Sequence, residues 1–486
     1  MKNQNIKVNA VLNMTKTICS IAFPLITFPY ISRVLSPDNI GKVNFGSSFV
    51  NYFTLLASLG ITTYAIRECS SKRNDKNELS RIASQIFSIN LCTTFMSFVA
   101  MIVTLLLFRP FDSYRSLIII QSTTTLFTTL GCDWLNSAME DFVYITVRSI
   151  LFQIISLVLM FLLVKTPEDY IVYATITVIS SSGANIVNIF YRKKYCRVRF
   201  IKKMDWKKHF QPIVMLFVMS MAQTIFNSSD NTMLGLMKGD YEVGLYSIAV
   251  KISHLISQIV SSLAWVIMPR MSFYFAENDY IKINCTLRRV LGVLITLGLP
   301  CAVGTISLSK EIILVISGEK YFEASTALII LMFSFSFSLV GGSFLGNMVL
   351  FPSKREGTYM KICCVSTVVN LILNYFLIPI WGVNAAALTT AFSSFLIMIM
   401  LLATKDQRIK IEKLKEIFIS PIVGCLMIVI VCFAVKYFFS NLFIVTSLSV
   451  IGSILIYFII QYVLKNEVVY SIAEVFIVKL KRLHKM

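Results

Sequence analysis

The sequence predicts an all-α integral membrane protein of about fourteen transmembrane helices. Three observations carry this: an extreme apolar composition, a succession of apolar runs near twenty residues long, and a one-sided distribution of Lys and Arg. With 56% hydrophobic and only 14% charged residues among 486, and a mean hydropathy of +0.74, the chain is too apolar to be wrapped around a water-facing surface. Lipid is the solvent that suits it.

Span-length apolar runs cover residues 9–32, 43–65, 83–108, 115–135, 142–164, 170–190, 212–237, 243–268, 290–309, 326–350, 359–380, 383–403, 418–438 and 442–464. Each is long enough to cross about 30 Å of hydrocarbon. A net charge of +20 would in a soluble protein suggest nucleic acid, so the placement of the charges decides. With the amino terminus inside, the inward segments hold 34 of the 45 Lys and Arg, and nine fall outside, among them Arg33, Lys42, Arg109 and Lys436. Nine acidic residues, from Asp38 to Glu323, balance those outward cations. The excess therefore lies inside, both termini are expected in the cytoplasm, and no nucleic-acid partner is needed. The run from Arg192 to Lys208 reads as a topology signal, with a grip on anionic lipid headgroups as the alternative. Only Lys16 and Lys251 are left within spans.

The eleven cysteines are scattered without metal-like spacing and none falls in an outward loop, so no disulfide framework is implied. The first apolar stretch is span-length and is read as a retained helix rather than a cleaved signal. His209 and His484 form no recognisable metal set with His254, and no phosphate-cradling glycine loop or nucleophile elbow occurs. No metal, no cofactor, no direct ATP drive and no catalytic activity are expected.

No linker rich in Gly, Ser or Pro divides the chain, but an internal echo does. Aligning Gly41 on Gly244 pairs Ile40 with Val243 and Asn51 with His254; a second echo pairs Gly131 with Gly346, Asp141 with Glu356 and Tyr144 with Tyr359. The offsets, 203 and 215, suggest two six-helix bundles in parallel orientation, residues 1–205 and 206–405, followed by residues 406–486 with two extra helices and a tail. Related halves around a fixed site are a transporter layout, because rocking one against the other alternates access.

Several motifs carry a resemblance to a family: Pro24 and Pro29 in span 1, Arg33 to Gly41 after it, Gly60 with Ala65-Ile66-Arg67-Glu68, then Asp133-Trp134, Glu140, Tyr144, Arg148, Asp230 and Val243 to Tyr246 with Lys251. The chain resembles the Wzx-type polysaccharide flippases of the multidrug, oligosaccharidyl-lipid and polysaccharide exporter superfamily. The resemblance implies a V-shaped pair of bundles with a cavity lined by spans 1, 2, 7 and 8. It further implies translocation of a prenyl-pyrophosphate-linked oligosaccharide across the bacterial cytoplasmic membrane, for O-antigen or capsule synthesis.

Those four spans are polar on one face: Asn9, Asn13, Lys16 and Ser20; Asn44, Ser48, Asn51 and Ser58; Gln223, Asn227 and Asp230; Lys251, His254, Gln258 and Ser262. Steps of three and four stack these groups along one side of each helix. Spans 5, 12, 13 and 14 lack stripes of this kind. Polar groups in hydrocarbon are costly unless paired or wetted, so the stripes argue for a water-filled cavity, with helix-to-helix hydrogen bonding as the alternative.

The expected substrate-binding residues are Lys16, Asn51, Asn227, Asp230, Lys251 and His254. Lys16 is either a cavity cation or an anchor snorkelling to the inner surface. Asp230 and Lys251 either form an ion pair within their hairpin, or Lys251 binds an anionic group while Asp230 takes up a coupling proton or cation. His254 is a proton relay or a plain hydrogen-bonding group. Pro24 and Pro29 kink span 1, as a hinge or a static bend. The expected partners are the lipid-linked oligosaccharide, membrane lipids and polysaccharide-assembly membrane proteins. A multidrug or organic-cation exporter is the nearest rival, and would favour acidic cavity residues. A membrane glycosyltransferase or polymerase is a rival of another class, and would expose a large outward loop.

Overall fold

A computed structural model describes residues 6–202, 205–265, 267–404, 406 and 408–470. The side chains of Asn9 and Asn13, together with His484 and the basic tail, lie outside what it describes. The first half of the chain forms α1 (Ile6–Val34), α2 (Pro37–Ser58), α3 (Ile61–Ser71), α4 (Lys76–Leu107), α5 (Arg115–Gly131), α6 (Asp133–Ala138), α7 (Phe142–Leu163), α8 (Tyr170–Tyr191) and α9 (Trp206–Met237). The second forms α10 (Asp240–Trp265), α11 (Met268–Glu277), α12 (Tyr280–Ser307), α13 (Ser309–Ser317), α14 (Ala324–Ser338), a π-helical stretch Leu339–Leu350, α15 (Glu356–Ala403), α16 (Leu414–Phe438) and α17 (Leu442–Val463). Among the described residues there is no β-strand.

Among the described residues, eleven helices are long and apolar enough to cross a membrane, against about fourteen expected. The difference has physical sources. The 48-residue α15 merges two helices across Gly382, whose φ of 53° and ψ of −129° no other residue type adopts cheaply. The 17-residue α5 is shorter than a full span, whereas α1, at 29 residues, is long enough and its described apolar part is Ile18–Val34. Pro24 and Pro29 sit inside α1, which continues through both.

Local sequence sets the helix ends. Ser36 caps α2, accepting from the Asn39 N–H at 3.4 Å with Pro37 in the first turn, where its missing N–H costs nothing. Asp75 caps α4 through the Asn77 and Glu78 N–H groups, and Asn441 caps α17 in the same way.

The chain divides into two compact units, Met1–Ser247 and Ile248–Met486, with the boundary inside α10. In the first, α5 packs on α8, α7 on α8 and α1, and α2 lies against α4, α5 and α9. One end of this unit holds a core of Ile61, Tyr64, Cys69, Ile82, Ile86, Trp134 and Leu135 that locks α3 and α6 onto α4. In the second, α14 packs on α15, and α12 on α14 and α16, while α16 and α17 pair as a hairpin.

Within each unit the contacts between turns sort to two ends. In the first, Tyr30 donates to the Val164 carbonyl at 2.6 Å, Asn39 to that of Pro167 at 2.8 Å and Tyr114 to the Asp240 carboxylate at 2.6 Å at one end, and Arg73 pairs with Glu140 at the other. In the second, Lys436 pairs with Glu311 at one end and Arg288 with Glu416 and Glu467 at the other. Every pair joins segments that the alternation of spans assigns to the same side, as a multi-pass membrane protein requires.

Candidate functional site

Several groups of the polar stripes of α2, α9 and α10 are exposed within their spans. Asn51, Gln223, Asn227, His254, Gln258 and Ser262 are exposed, Lys16 and Lys251 are half-buried, and Asp230 is buried. An exposed amide in a span faces either lipid or water, and lipid contact would leave its hydrogen bonds unmade at several kcal/mol each. Exposed amides at these positions call for water rather than lipid. Asn227 and Asp230 lie one turn apart on α9, Lys251 and His254 one turn apart on α10, and Lys16 lies on α1, which packs on α7. Lys16, Asn51, Asn227 and Asp230 belong to the first unit, Lys251 and His254 to the second.

Asp230 is fixed rather than free to swing: the Tyr246 hydroxyl donates to its Oδ2 at 2.5 Å. Two residues further, the Tyr52 hydroxyl and Thr232 Oγ1 are 3.1 Å apart, tying α2 to α9 beside Asn51.

Where α2 and α10 begin, the echo found in the sequence becomes a physical contact. A Cβ on Gly41 would lie 1.8 Å from the Asp240 carbonyl oxygen, and one on Gly244 would lie 2.1 Å from that of Pro37. At the offset of 203, Gly41 corresponds to Gly244 and Pro37 to Asp240, so the two contacts are one contact made twice about a local two-fold. Only a residue without a Cβ permits that approach of two backbones. Phe45 fills the next layer down, its ring against Gly235.

On the opposite face, the Asp133, Tyr144 and Arg148 positions converge. Arg148 is 5% exposed; its Nη2 donates to Asp133 Oδ1 at 2.5 Å and its Nη1 to the Ala184 carbonyl at 3.2 Å, with the guanidinium 5.1 Å from the centre of the Tyr144 ring. Asp133 also accepts from Asn136, which with Asn188 stitches α6 to α8. Asp141 accepts from Tyr195 at 2.6 Å and Tyr191 at 2.9 Å. Burial alone would push the Asp141 carboxyl up, but those two hydroxyls, the Tyr144 N–H and the charge of Lys194 outweigh it and hold its pKa below the ordinary value. Tyr195 shifts upward, by burial first and then by that bond.

A folded-state pKa below the unfolded one means stabilisation that is present at neutral pH and lost as pH falls through the folded value, below about 4. Asp141→Asn is thus expected to cost about 2 kcal/mol at pH 7. The difference from wild type should shrink once wild-type Asp141 protonates. Thermal unfolding in detergent from pH 7 to 3 measures both.

Spans 12 and 14, expected to lack polar stripes, carry them. Thr389 donates to Asn374 Oδ1 at 2.5 Å and Asn374 to Asn370 at 3.1 Å, beside buried Ser366 and Ser393. In α17, buried Ser449, Ser453, Tyr457 and Gln461 step by fours, and Ser420 of α16 donates to Gln461. These serve helix-to-helix bonding, and small hydroxyls hid them because they barely interrupt an apolar run. Burial separates them from Asn51, Gln223, Asn227, Gln258 and Ser262, which are exposed.

Comparison with known proteins places these features. A family model described as polysaccharide biosynthesis protein matches residues 6–275, and one described as MatE matches residues 216–376. The chain is 22% identical over 404 residues to the capsular polysaccharide biosynthesis protein CapF of Staphylococcus aureus, covering 80% of this chain and 95% of that one. Among solved structures it is similar to the lipid II flippase MurJ, with a TM-score of 0.74 at 15% identity over 95% of this chain and 99% of the other. A multidrug resistance MATE family transporter gives 0.64 at 13% identity, over 82% and 97%. At such identities the structural likeness speaks for the fold.

Proposed function

Because this chain belongs to the polysaccharide biosynthesis protein family, we propose that it is a flippase that moves a prenyl-pyrophosphate-linked oligosaccharide across the bacterial cytoplasmic membrane for cell-surface polysaccharide synthesis. The observation that carries this reading is the set of exposed polar stripes, together with two in-span cations, Lys16 and Lys251. Amides and hydroxyls at helical spacing suit a sugar, and two cations suit a pyrophosphate. The prenyl chain stays in lipid. The basic face is the cytoplasmic one, with both termini on it. Asp230, held by Tyr246, is the group placed to take up a coupling proton or cation when that bond loosens. Such a protein binds and releases its cargo without making or breaking a covalent bond, and hands it to the membrane proteins that assemble the polymer.

Lys251→Ala is expected to lower polymer export at least about tenfold, the value of one charge-assisted contact to phosphate. The measurement is surface polysaccharide in a deletion host, at equal amounts of protein in the membrane. Lipid-linked oligosaccharide should accumulate on the inner leaflet. Full rescue by both Lys251→Ala and Lys16→Ala would remove the pyrophosphate assignment.

A further inference from the structure

A pocket of about 940 Å³ opens between α12, the start of α16 and the end of α17. Its walls are amphiphilic. Val293, Ile417, Ile419, Leu464 and Val468 supply apolar surface, and Arg288, Arg289 and Lys465 supply cations. Arg288 is spoken for by Glu416 at 3.5 Å and Glu467 at 2.5 Å, although its Nε, buried, has no hydrogen-bond partner. Arg289 and Lys465 pair with no acidic side chain among the described residues. The floor is a closed polar network in which Asn466 donates to Thr296 and Ser420.

Lys465 occupies a conformation that works against it. It ends α17 at a φ of 54°, with its N–H bonded to the Tyr462 carbonyl and that of Asn466 to Gln461. This is the left-handed helix stop where glycine is the usual residue, because a Cβ there crowds the following carbonyl. A residue kept in such a position points to a use for its side chain, and here that side chain is an unpaired cation on the pocket rim.

We propose that this pocket binds an anionic glycerophospholipid of the cytoplasmic leaflet, its phosphodiester held by Arg289 and Lys465 and its acyl chains laid along Val293, Ile419 and Leu464. A soluble phosphate could use the cations but not the apolar walls. Ile419 and Leu464 are 57% and 45% exposed on helices that otherwise face the bilayer, so the mouth opens sideways into lipid. Anionic headgroups are concentrated at that surface, and each Lys or Arg near it adds to the attraction. The lipid joins the α16–α17 hairpin to α12 at the level where their polar network ends. The assignment uses the orientation given above but not the identity of the cargo.

The test is lipid retention by the full chain in native mass spectrometry, after exchange into phosphatidylglycerol or phosphatidylcholine micelles, with Arg289→Ala and Lys465→Gly. Phosphatidylglycerol should stay bound and phosphatidylcholine should not. Each variant should lower retention about fivefold or more. Lys465→Gly relieves the left-handed strain, so its melting temperature in detergent should hold or rise while lipid is lost, an outcome that damage to the fold would not produce. Retention equal to wild type in both variants overturns the proposal. So does full displacement by millimolar inorganic phosphate, which would mark a free-anion site, or by a prenyl pyrophosphate at equimolar amounts, which would mark a cargo site. Export by Lys251→Ala protein bears on the flippase reading alone and leaves this result unchanged.

Discussion

Gly41→Ala and Gly244→Ala should each cut polysaccharide export by an order of magnitude or more without removing the protein from the membrane. An added Cβ would meet a backbone carbonyl at 1.8 Å in one case and 2.1 Å in the other, and neither carbonyl can turn aside, because each lies at the start of a helix. The helix starts must separate by more than 1 Å, at a cost of about 1–3 kcal/mol. If transport alternates between a state in which these junctions touch and one in which they part, the cost falls on the first state alone. A penalty of that size shifts the populations by roughly 5- to 150-fold.

The reciprocity gives a sharper outcome. Once one substitution has pried the junctions apart, the second finds its clash already relieved, so the double variant should fall well short of the sum of the two singles. A cysteine at buried Ser48, close behind the contact, should become reactive to an impermeant thiol reagent from outside in the alanine variants and stay protected in wild type. Wild-type export by Gly41→Leu at normal membrane levels would show that the contact plays no part in the cycle.

Asp133→Ala should be the most damaging single change on the opposite face. It strands the Arg148 guanidinium, 5% exposed, with one carbonyl and a ring face for company and its Nε already without a partner. Removing one member of a fully buried pair costs about 3–5 kcal/mol; with the Asp133 side chain 37% exposed, about 2–3 kcal/mol is the reasonable expectation. Arg148→Leu leaves a carboxylate that can reach water, and should cost less. The double change Asp133→Ala with Arg148→Leu should therefore be more stable than Asp133→Ala alone. Detergent-solubilised melting of the three proteins decides it, and a double variant less stable than Asp133→Ala would mean that the pair contributes net stability instead of only needing to be complete.

What could be read from the sequence follows the range of the forces involved. Span positions depend on summed apolar transfer, a property of twenty consecutive residues, and the expected runs fall on helical segments, although 43–65 and 115–135 each cross a break, at Leu59 and Gly60 and at Cys132. The glycine echo was visible as a repeat, but its meaning was not: that Gly41 touches the counterpart of Pro37 is a tertiary fact no spacing encodes. The polar stripes were legible as periodicities, while their exposure was not, since buried Thr389 and Ser393 share the four-residue spacing of exposed Gln223 and Asn227 and differ in what covers them. The Asp141 clasp was missed because its tyrosines lie 50 and 54 residues away.

The segment after α8 shows how local chemistry can set a mechanical limit. Ser80 donates to the Arg197 carbonyl, Ser84 accepts from the Arg199 N–H and Ser88 from the Ile201 N–H, three rungs one turn apart on α4. They fasten an extended strand of chain to a helix and leave about five residue steps, roughly 17 Å at full stretch, between the last rung and the start of α9 at Trp206. Were the rungs released, the free length from Tyr195 would be about 38 Å. The link from α8 to α9 is thus a leash held short by three hydroxyls, and its length bounds how far α9 can travel from the foot of α4.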